Sequence, residues 1–95
     1  MKAILVVTDS DAVPTFERAF VARQRGFTVI PELIGMGRSG LKAGDRIHPG
    51  GSSLLFSVVP DEELGDTVAE LKQARDATVY AEHTRMWSFA VEEVA

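Results

Sequence analysis

The segment from Gly35 to Ser53 holds the residues of this chain that are best suited to bind an anion. It contains six glycines and four basic or imidazole side chains, which are Arg38, Lys42, Arg46 and His48. Glycine lets backbone N–H groups approach a ligand closely, and the neighbouring cations favour a negative one. The segment therefore predicts an anion site. The same composition also fits a mobile connector between two strands, since long loops in small domains are commonly one or the other.

Other residue types that often carry chemistry do not form a convincing site. Ser52 and Ser53 lack the sequence context of an activated nucleophile, and the acidic pairs fit a helix start and a solvated terminus better than a catalytic carboxylate pair. His48 and His83 are far apart in a chain without cysteine, which is a poor signature of a metal site. We therefore expect neither an enzyme nor a bound metal.

Composition restricts the class of protein further. The 95 residues predict one domain, 1–95, and the formal net charge of −4 argues against nonspecific nucleic-acid binding. The absence of cysteine fits a cytosolic protein, and the longest apolar runs are too short to cross a bilayer. A soluble, cytoplasmic protein is predicted.

The first half of the chain alternates strand and helix patterns. Ala3 to Thr8 is a continuous apolar run typical of a central strand. Capping side chains at 9–11 then precede an amphipathic helix, for which Gly26 is the predicted C-cap. Phe27 to Ile34 predicts a second strand, in which Pro31 indicates an edge or a bulge.

The second half repeats this order. Ser53 to Val59 predicts a third strand, and the following Pro-Asp pair starts a helix that places Leu64, Val68 and Leu71 on one face. Thr78 to Tyr80 and Met86 to Val91 predict the last strand. The order βαββαβ indicates a ferredoxin-like α+β fold, with a four-stranded antiparallel sheet and two helices on one face. The sheet has more apolar residues than one face needs, so we expect its open face to be buried in a homotrimer.

Several motifs together resemble the PII signalling proteins and their PII-like relatives. These are Gly35-Met36-Gly37-Arg38 after the second strand, the long following loop, Val58-Val59-Pro60-Asp61-Glu62 and Val91-Glu92-Glu93-Val94. The resemblance covers most of the chain. It implies a regulatory trimer with a small effector, such as an adenine nucleotide, in the clefts between subunits.

The resemblance also assigns roles to residues. Gly35, Gly37 and Arg38 would bind the anionic effector. The loop that follows, from Ser39 to Ser52, is called the T-loop in this family and would engage a partner such as a membrane transporter or an enzyme. Its candidate contact residues are Ser39, Gly40, Lys42, Arg46 and His48.

The chain departs from the nitrogen regulators in its T-loop, which is short and has no tyrosine, and in the segment after the second helix. Those proteins carry a Thr-Gly-x-x-Gly-Asp-Gly phosphate loop after the second helix, whereas this chain has Lys72-Gln73-Ala74-Arg75-Asp76-Ala77-Thr78 there. Two alternatives follow. The chain could be a structural or interaction trimer without a ligand, or a metal-tolerance protein of the same fold.

Overall fold

The computed structural model describes residues 1–33, 35–37, 40–42 and 51–95, with the backbone alone for 35–37 and 40–42. Six strands and two α-helices occur in these ranges. In chain order they are β1 (Lys2–Asp9), α1 (Val13–Ala22), β2 (Thr28–Leu33), β3 (Gly35–Gly37), β4 (Gly40–Lys42), β5 (Ser52–Val59), α2 (Leu64–Asp76) and β6 (Arg85–Ala90). Short 3₁₀ turns at Ser10–Ala12, Asp61–Glu63 and Ala81–His83 lead into α1, α2 and β6.

The main sheet has the strand order β2-β5-β1-β6, and its pairings are antiparallel. With two intervening helices this is the predicted ferredoxin-like α+β fold. β5 and β1 are the central strands, whereas β2 and β6 form the edges. Pro31 lies in the edge strand β2, where a missing N–H donor is tolerated.

Both helices pack on the same face of the sheet. Ile4 and Val6 of β1, two residues apart, point to this face and are 1% and 0% exposed. The core also contains Leu55 and Val59 from β5, Phe16 and Phe20 from α1, and Leu71 and Ala74 from α2. The apolar spacing of three and four residues along each helix therefore determines which side faces the sheet.

The end of α1 differs from the prediction. The helix ends at Ala22, and Gln24, with a φ of 56°, takes the left-handed position that we expected for Gly26. The N–H of Arg25 donates to the carbonyl of Phe20 at 2.9 Å, and that of Gln24 donates to Val21 at 2.9 Å. These two bonds form a Schellman motif, which places the left-handed residue at Gln24.

The prediction of strand structure at Thr78 to Tyr80 was wrong. The segment is a turn, in which the Tyr80 N–H donates to Thr78 Oγ1 at 3.1 Å. Thr78 Oγ1 in turn donates to the carbonyl of Arg75, at 3.1 Å, near the end of α2. These local bonds of the threonine hydroxyl stabilise a turn in place of strand pairing.

The second face of the sheet is apolar and open. The register places Leu5 opposite Phe56 on one side and opposite Trp87 on the other. Trp87 is 53% exposed, Phe89 48% and Ile30 46%. We call this surface the open face. It comprises Leu5, Val7, Ile30, Leu54, Phe56, Val58, Trp87 and Phe89. None of the helices in the described ranges is long and apolar enough to span a bilayer.

Candidate functional site

Three strands, β1, β5 and β6, bring polar side chains together at one end of the main sheet. β1 ends with Thr8 and Asp9, and the register places Ser53 and Ser52 opposite them at the start of β5. β6 begins in the same region, since Arg85 pairs with Val7. We call this the polar end, defined by Thr8, Asp9, Ser10, Asp11, Ser52, Ser53, Tyr80, Thr84 and Arg85. Leu33, at the end of β2, pairs with Ser52, so the segment 34–51 leaves the sheet and returns to it at the polar end.

The first part of that segment is a β-ribbon rather than an irregular loop. β3 and β4 pair antiparallel, with Gly35 opposite Lys42, Met36 opposite Leu41 and Gly37 opposite Gly40. Residues two apart on a strand direct their backbone N–H groups to the same edge. Gly35 and Gly37, opposite Lys42 and Gly40, therefore direct their backbone N–H groups to the same edge of β3.

Backbone irregularities mark both places where the segment joins the sheet. Between Ile30 and Leu33 the register of β2 shifts by one residue against β5, and Glu32 there has a φ of 61°. This is the bulge that Pro31 indicated, and bulges redirect a strand at a sheet edge. At the other junction Gly51 has a φ of 64°, and its carbonyl accepts the N–H of Ser10 at 3.0 Å.

Hydroxyl groups form the floor of the polar end. Thr84 Oγ1 donates to the carbonyl of Tyr80 at 2.9 Å, and so it accepts the bond from Thr8 Oγ1, 2.7 Å away. Ser10 Oγ and Ser53 Oγ lie 2.7 Å apart. Thr8, Ser53 and Thr84 are nearly inaccessible to solvent, and these bonds satisfy the hydroxyls that folding buries.

Two carboxylates give the polar end a negative side. Asp9 is 2% exposed, and its Oδ1 caps the following 3₁₀ turn by accepting the N–H of Asp11 at 2.9 Å. Asp11 Oδ2 accepts the hydroxyl of Tyr80 at 3.2 Å. Desolvation raises the pKa of Tyr80, and the bond to Asp11 and the charges of Asp11 and Asp9 raise it further. The phenol is therefore held as a neutral donor.

The residues predicted to bind ligand and partner fall into two groups. Gly35, Gly37, Gly40 and Lys42 lie in the β-ribbon. Arg38, Ser39, Arg46 and His48 lie outside the described residues. Ser52, predicted as the end of the loop, belongs to β5 and is buried.

Thr8, Ser10, Tyr80 and Thr84 are polar-end residues that sequence reasoning missed. The sequence did contain one signal for this cluster. Thr8 ends a buried apolar strand and two serines begin the third predicted strand, and buried hydroxyls need hydrogen-bond partners. Nothing in the sequence showed that Tyr80 meets Asp11 from a distant turn. Within the described ranges no group of three or more His, Cys, Asp and Glu side chains could hold a metal ion.

This chain is similar to known proteins in its three-dimensional structure. No protein-family model matches the chain, and no curated protein matches it at a significant level. Solved structures of CPII, a nitrogen regulatory PII-like protein from Thiomonas intermedia K12, align with TM-scores of 0.70 and 0.69 at 15% identity, covering 95% of this chain and 86% of theirs. A third CPII structure gives a TM-score of 0.68 at 14% identity, over 96% of this chain and 93% of that one.

The CPII structures were determined with ligands. One was bound to ADP, AMP and bicarbonate, and another to ADP and bicarbonate. The alignments cover 95–96% of this chain and 86–93% of the CPII chains. The resemblance seen in the sequence is confirmed at the level of the fold: this chain has the fold of the PII-like nitrogen regulatory protein CPII.

Proposed function

We propose that residues 1–95 form a single PII-like regulatory domain, which binds a small anionic effector and signals to a partner instead of catalysing a reaction. The observation that carries the proposal is the fold shared over 95% of the chain with a PII-like protein bound to ADP, AMP and bicarbonate. An adenine nucleotide is the effector of first choice. Gly35, Gly37 and Arg38 are its proposed ligands.

The geometry of the polar end supports this role. The β-ribbon starts beside a floor of hydroxyls that can donate to or accept from a sugar or a phosphate. The ribbon places Gly35 and Gly37, which have no side chains to block a ligand, two residues apart on one strand, and the guanidinium of Arg38 would add a charge-assisted bond. Asp9 and Asp11 oppose a bare anion nearby, so we place the phosphates towards the ribbon and the uncharged part of the effector towards the hydroxyls.

The proposed assembly is a homotrimer with the effector in clefts between subunits. Its support is the open face, which leaves Trp87, Phe89 and Ile30 about half exposed in the isolated chain. Exposed apolar patches of this kind mark interaction surfaces. The segment Ser39 to Gly51 then serves as the T-loop that engages a membrane transporter or an enzyme in the cytoplasm. Its proposed contacts are Ser39, Gly40, Lys42, Arg46 and His48.

A structural or interaction trimer without a ligand is the second candidate. The observation that favours it is the region after the second helix: α2 continues to Asp76 and is followed by a short turn, where the nitrogen regulators have their glycine-rich phosphate loop. A domain of this second kind would keep the open face and the T-loop but would bind no nucleotide.

Calorimetric titration with AMP, ADP, ATP and bicarbonate separates the two candidates. We expect saturable binding of a nucleotide, weakened by Arg38→Ala by about one to two decades, because a charge-assisted bond contributes about 1.5–3 kcal/mol. Arg38→Lys should recover only part of the loss, since an ammonium lacks the planar fork. Arg18→Ala, which changes an exposed arginine of α1, is the matched control. No binding of any of the four compounds would favour the second candidate.

A further inference from the structure

The two edges of the main sheet differ in how open they are to a further strand. β2, at one edge, contains Pro31, which has no N–H to donate, and its register shifts at Glu32, which has a φ of 61°. β6, at the other edge, runs over six residues without proline, glycine or a shift in register. Prolines and bulges protect edge strands from pairing with other chains, and β6 lacks that protection.

One hydrogen bond shows which backbone groups of β6 bond to β1. The N–H of Val91 donates to the carbonyl of Met1 at 3.1 Å, and these two residues stand directly opposite each other, one rung beyond the pairing of Lys2 with Ala90. Met1 and Val91 are therefore a hydrogen-bonded pair. Hydrogen-bonded and non-hydrogen-bonded pairs alternate along an antiparallel ladder, so the kind of every other pair between β1 and β6 follows from this one.

Three residues of β6 direct their backbone groups away from β1. They are the members of the non-hydrogen-bonded pairs, Met86, Ser88 and Ala90. We call their N–H and C=O groups the β6 edge. In the described ranges no strand pairs with this edge. It offers three donors and three acceptors, in the spacing that an added strand needs.

The helix-covered side of the β6 edge is basic. Met86 and Ser88 lie opposite Val6 and Ile4 of β1, so their side chains point to this side. They line one cavity with Lys72 and Arg75 of α2, and its described lining contains no carboxylate.

The charge on this side is only partly neutralised. Asp76 binds Arg75 Nε at 2.9 Å and offsets part of one charge. Among the described carboxylates none forms an ion pair with Lys72. A strand added at the edge is therefore favoured if its side chains on this side are acidic.

The other side of the β6 edge is apolar. Trp87 and Phe89 point to the open face, opposite Leu5 and Ala3 of β1, and both are about half exposed. Apolar side chains on an added strand would extend this surface and remove part of it from water. The two sides together select a strand in which acidic and apolar residues alternate.

We propose that the β6 edge binds an extended segment of a partner protein in which acidic and apolar residues alternate. The segment becomes a fifth strand of the main sheet, with its acidic side chains towards Lys72 and its apolar side chains beside Trp87. Backbone bonds provide affinity in such strand addition, and the alternating side chains provide specificity. The β6 edge lies apart from the effector site proposed at Gly35, Gly37 and Arg38. It points along the plane of the sheet, whereas the proposed trimer contact is the open face.

The peptide acetyl-Val-Glu-Val-Glu-Val-Glu-Val-amide tests the proposal. We expect a saturable change in the fluorescence of Trp87, the only tryptophan of the chain. Amide hydrogen exchange should slow at Met86, Ser88 and Ala90, whose N–H groups gain partners. Exchange at Trp87 and Phe89 should change little, because their N–H groups already bond to β1. The peptide with lysine in place of each glutamate is the matched control and should bind more weakly.

Two pairs of variants separate the backbone contribution from the charge contribution. Ser88→Pro removes one outward N–H, which an edge strand tolerates, and should weaken peptide binding about tenfold or more, whereas Ser88→Ala should not. Lys72→Glu should weaken binding of the glutamate peptide about tenfold, because an exposed attraction becomes a repulsion, and should favour the lysine peptide. Arg18→Glu, at an exposed position of α1, is the control for the change of charge.

Four outcomes would overturn the proposal. They are absence of saturable binding, equal affinity for the two peptides, slowed exchange in β2 in place of β6, and protection of the β6 edge in the protein without peptide. The last result would mean that another copy of the chain already occupies the edge. If Ser88→Pro fails to fold, the exchange pattern and Lys72→Glu still decide. Nucleotide binding is measured separately, so either site can fail alone.

Discussion

The hydroxyl of Tyr80 joins two segments that are far apart in the chain. It donates to Asp11 at the start of α1, while the Tyr80 carbonyl accepts the bond from Thr84 that continues to Thr8. One residue therefore fixes the turn after α2 against the end of β1. The polar end depends on this turn, because Thr84 and Arg85 follow it directly.

The pKa of Tyr80 offers a test of this arrangement. Burial and the carboxylates of Asp11 and Asp9 raise it, so the phenol should ionise at higher pH in the folded protein than in denaturant. The resulting stabilisation is present below the ordinary tyrosine pKa of about 10 and is lost as pH rises through the folded-state value. Absorbance titration reports it without ambiguity, because the chain has one tyrosine.

Asp11→Asn provides the control for that titration. It removes the negative charge but retains an oxygen that can accept the bond, so the pKa of Tyr80 should fall part of the way back. An unchanged titration in this variant, or the same pKa in folded and denatured protein, would contradict the contact.

At the scale of elements, the end of α1 depends on a residue poorly suited to its conformation. Gln24 holds a φ of 56° at the position where helices usually place glycine. Gly26 does not have a left-handed φ, and a Cβ built at Gly26 meets no atom within 4 Å. The left-handed conformation is therefore at Gln24, two residues before the glycine at position 26.

Two substitutions at this helix end should have opposite effects from those expected from the sequence. Gln24→Gly should stabilise the fold by about 1 kcal/mol, because it relieves the left-handed penalty of a side chain. Gly26→Ala should be neutral, or stabilise by about 0.4–1 kcal/mol through a restricted unfolded state. Urea denaturation measures both. A loss of about 1 kcal/mol in Gly26→Ala would place the left-handed residue at Gly26 after all.

The same helix end shows what sequence could and could not predict. Periodicity identified both helices and the strands that contain apolar runs, because it reports directly which side is buried. Gly26 and the stretch Thr78 to Tyr80 were assigned wrongly because their conformation depends on particular hydrogen bonds, from Arg25 to Phe20 and from Tyr80 to Thr78. Local propensity contains no information about such partners.

The candidate site was predictable to a similar degree. Glycine spacing and basic residues pointed to the segment after β2 as a binding site, which stays a prediction. The structure adds that this segment begins with a β-ribbon containing Gly35 and Gly37. The hydroxyl floor was not predictable, since it assembles residues from β1, β5 and the turn before β6.

At the scale of the whole molecule, the open face is the surface through which copies of the chain would associate. One face of the sheet is covered by α1 and α2, whereas the other carries half-exposed aromatic side chains at Trp87 and Phe89. An isolated chain would leave this patch in water, and the proposed association of chains would bury it. The assembly we propose for the effector clefts therefore rests on the same surface.

Phe89→Glu tests the assembly. Wild-type protein should sediment at about three times the monomer mass of 10.3 kDa, and the variant should sediment as a smaller species, because closed assembly would bury the new carboxylate. Val79→Glu, at a valine that is 90% exposed in the turn after α2, is the control and should assemble normally. A stable wild-type monomer at micromolar concentration would disprove the trimer.

The pairing of Leu33 with Ser52 affects how much the length of segment 34–51 can change. It closes the chain at the base of segment 34–51, so the sheet is complete whatever that segment contains. Closure entropy grows only with the logarithm of length, and doubling a flexible loop costs about 0.6 kcal/mol. Insertions between these two residues can therefore change the reach of the domain towards a partner while its folding stability stays almost constant.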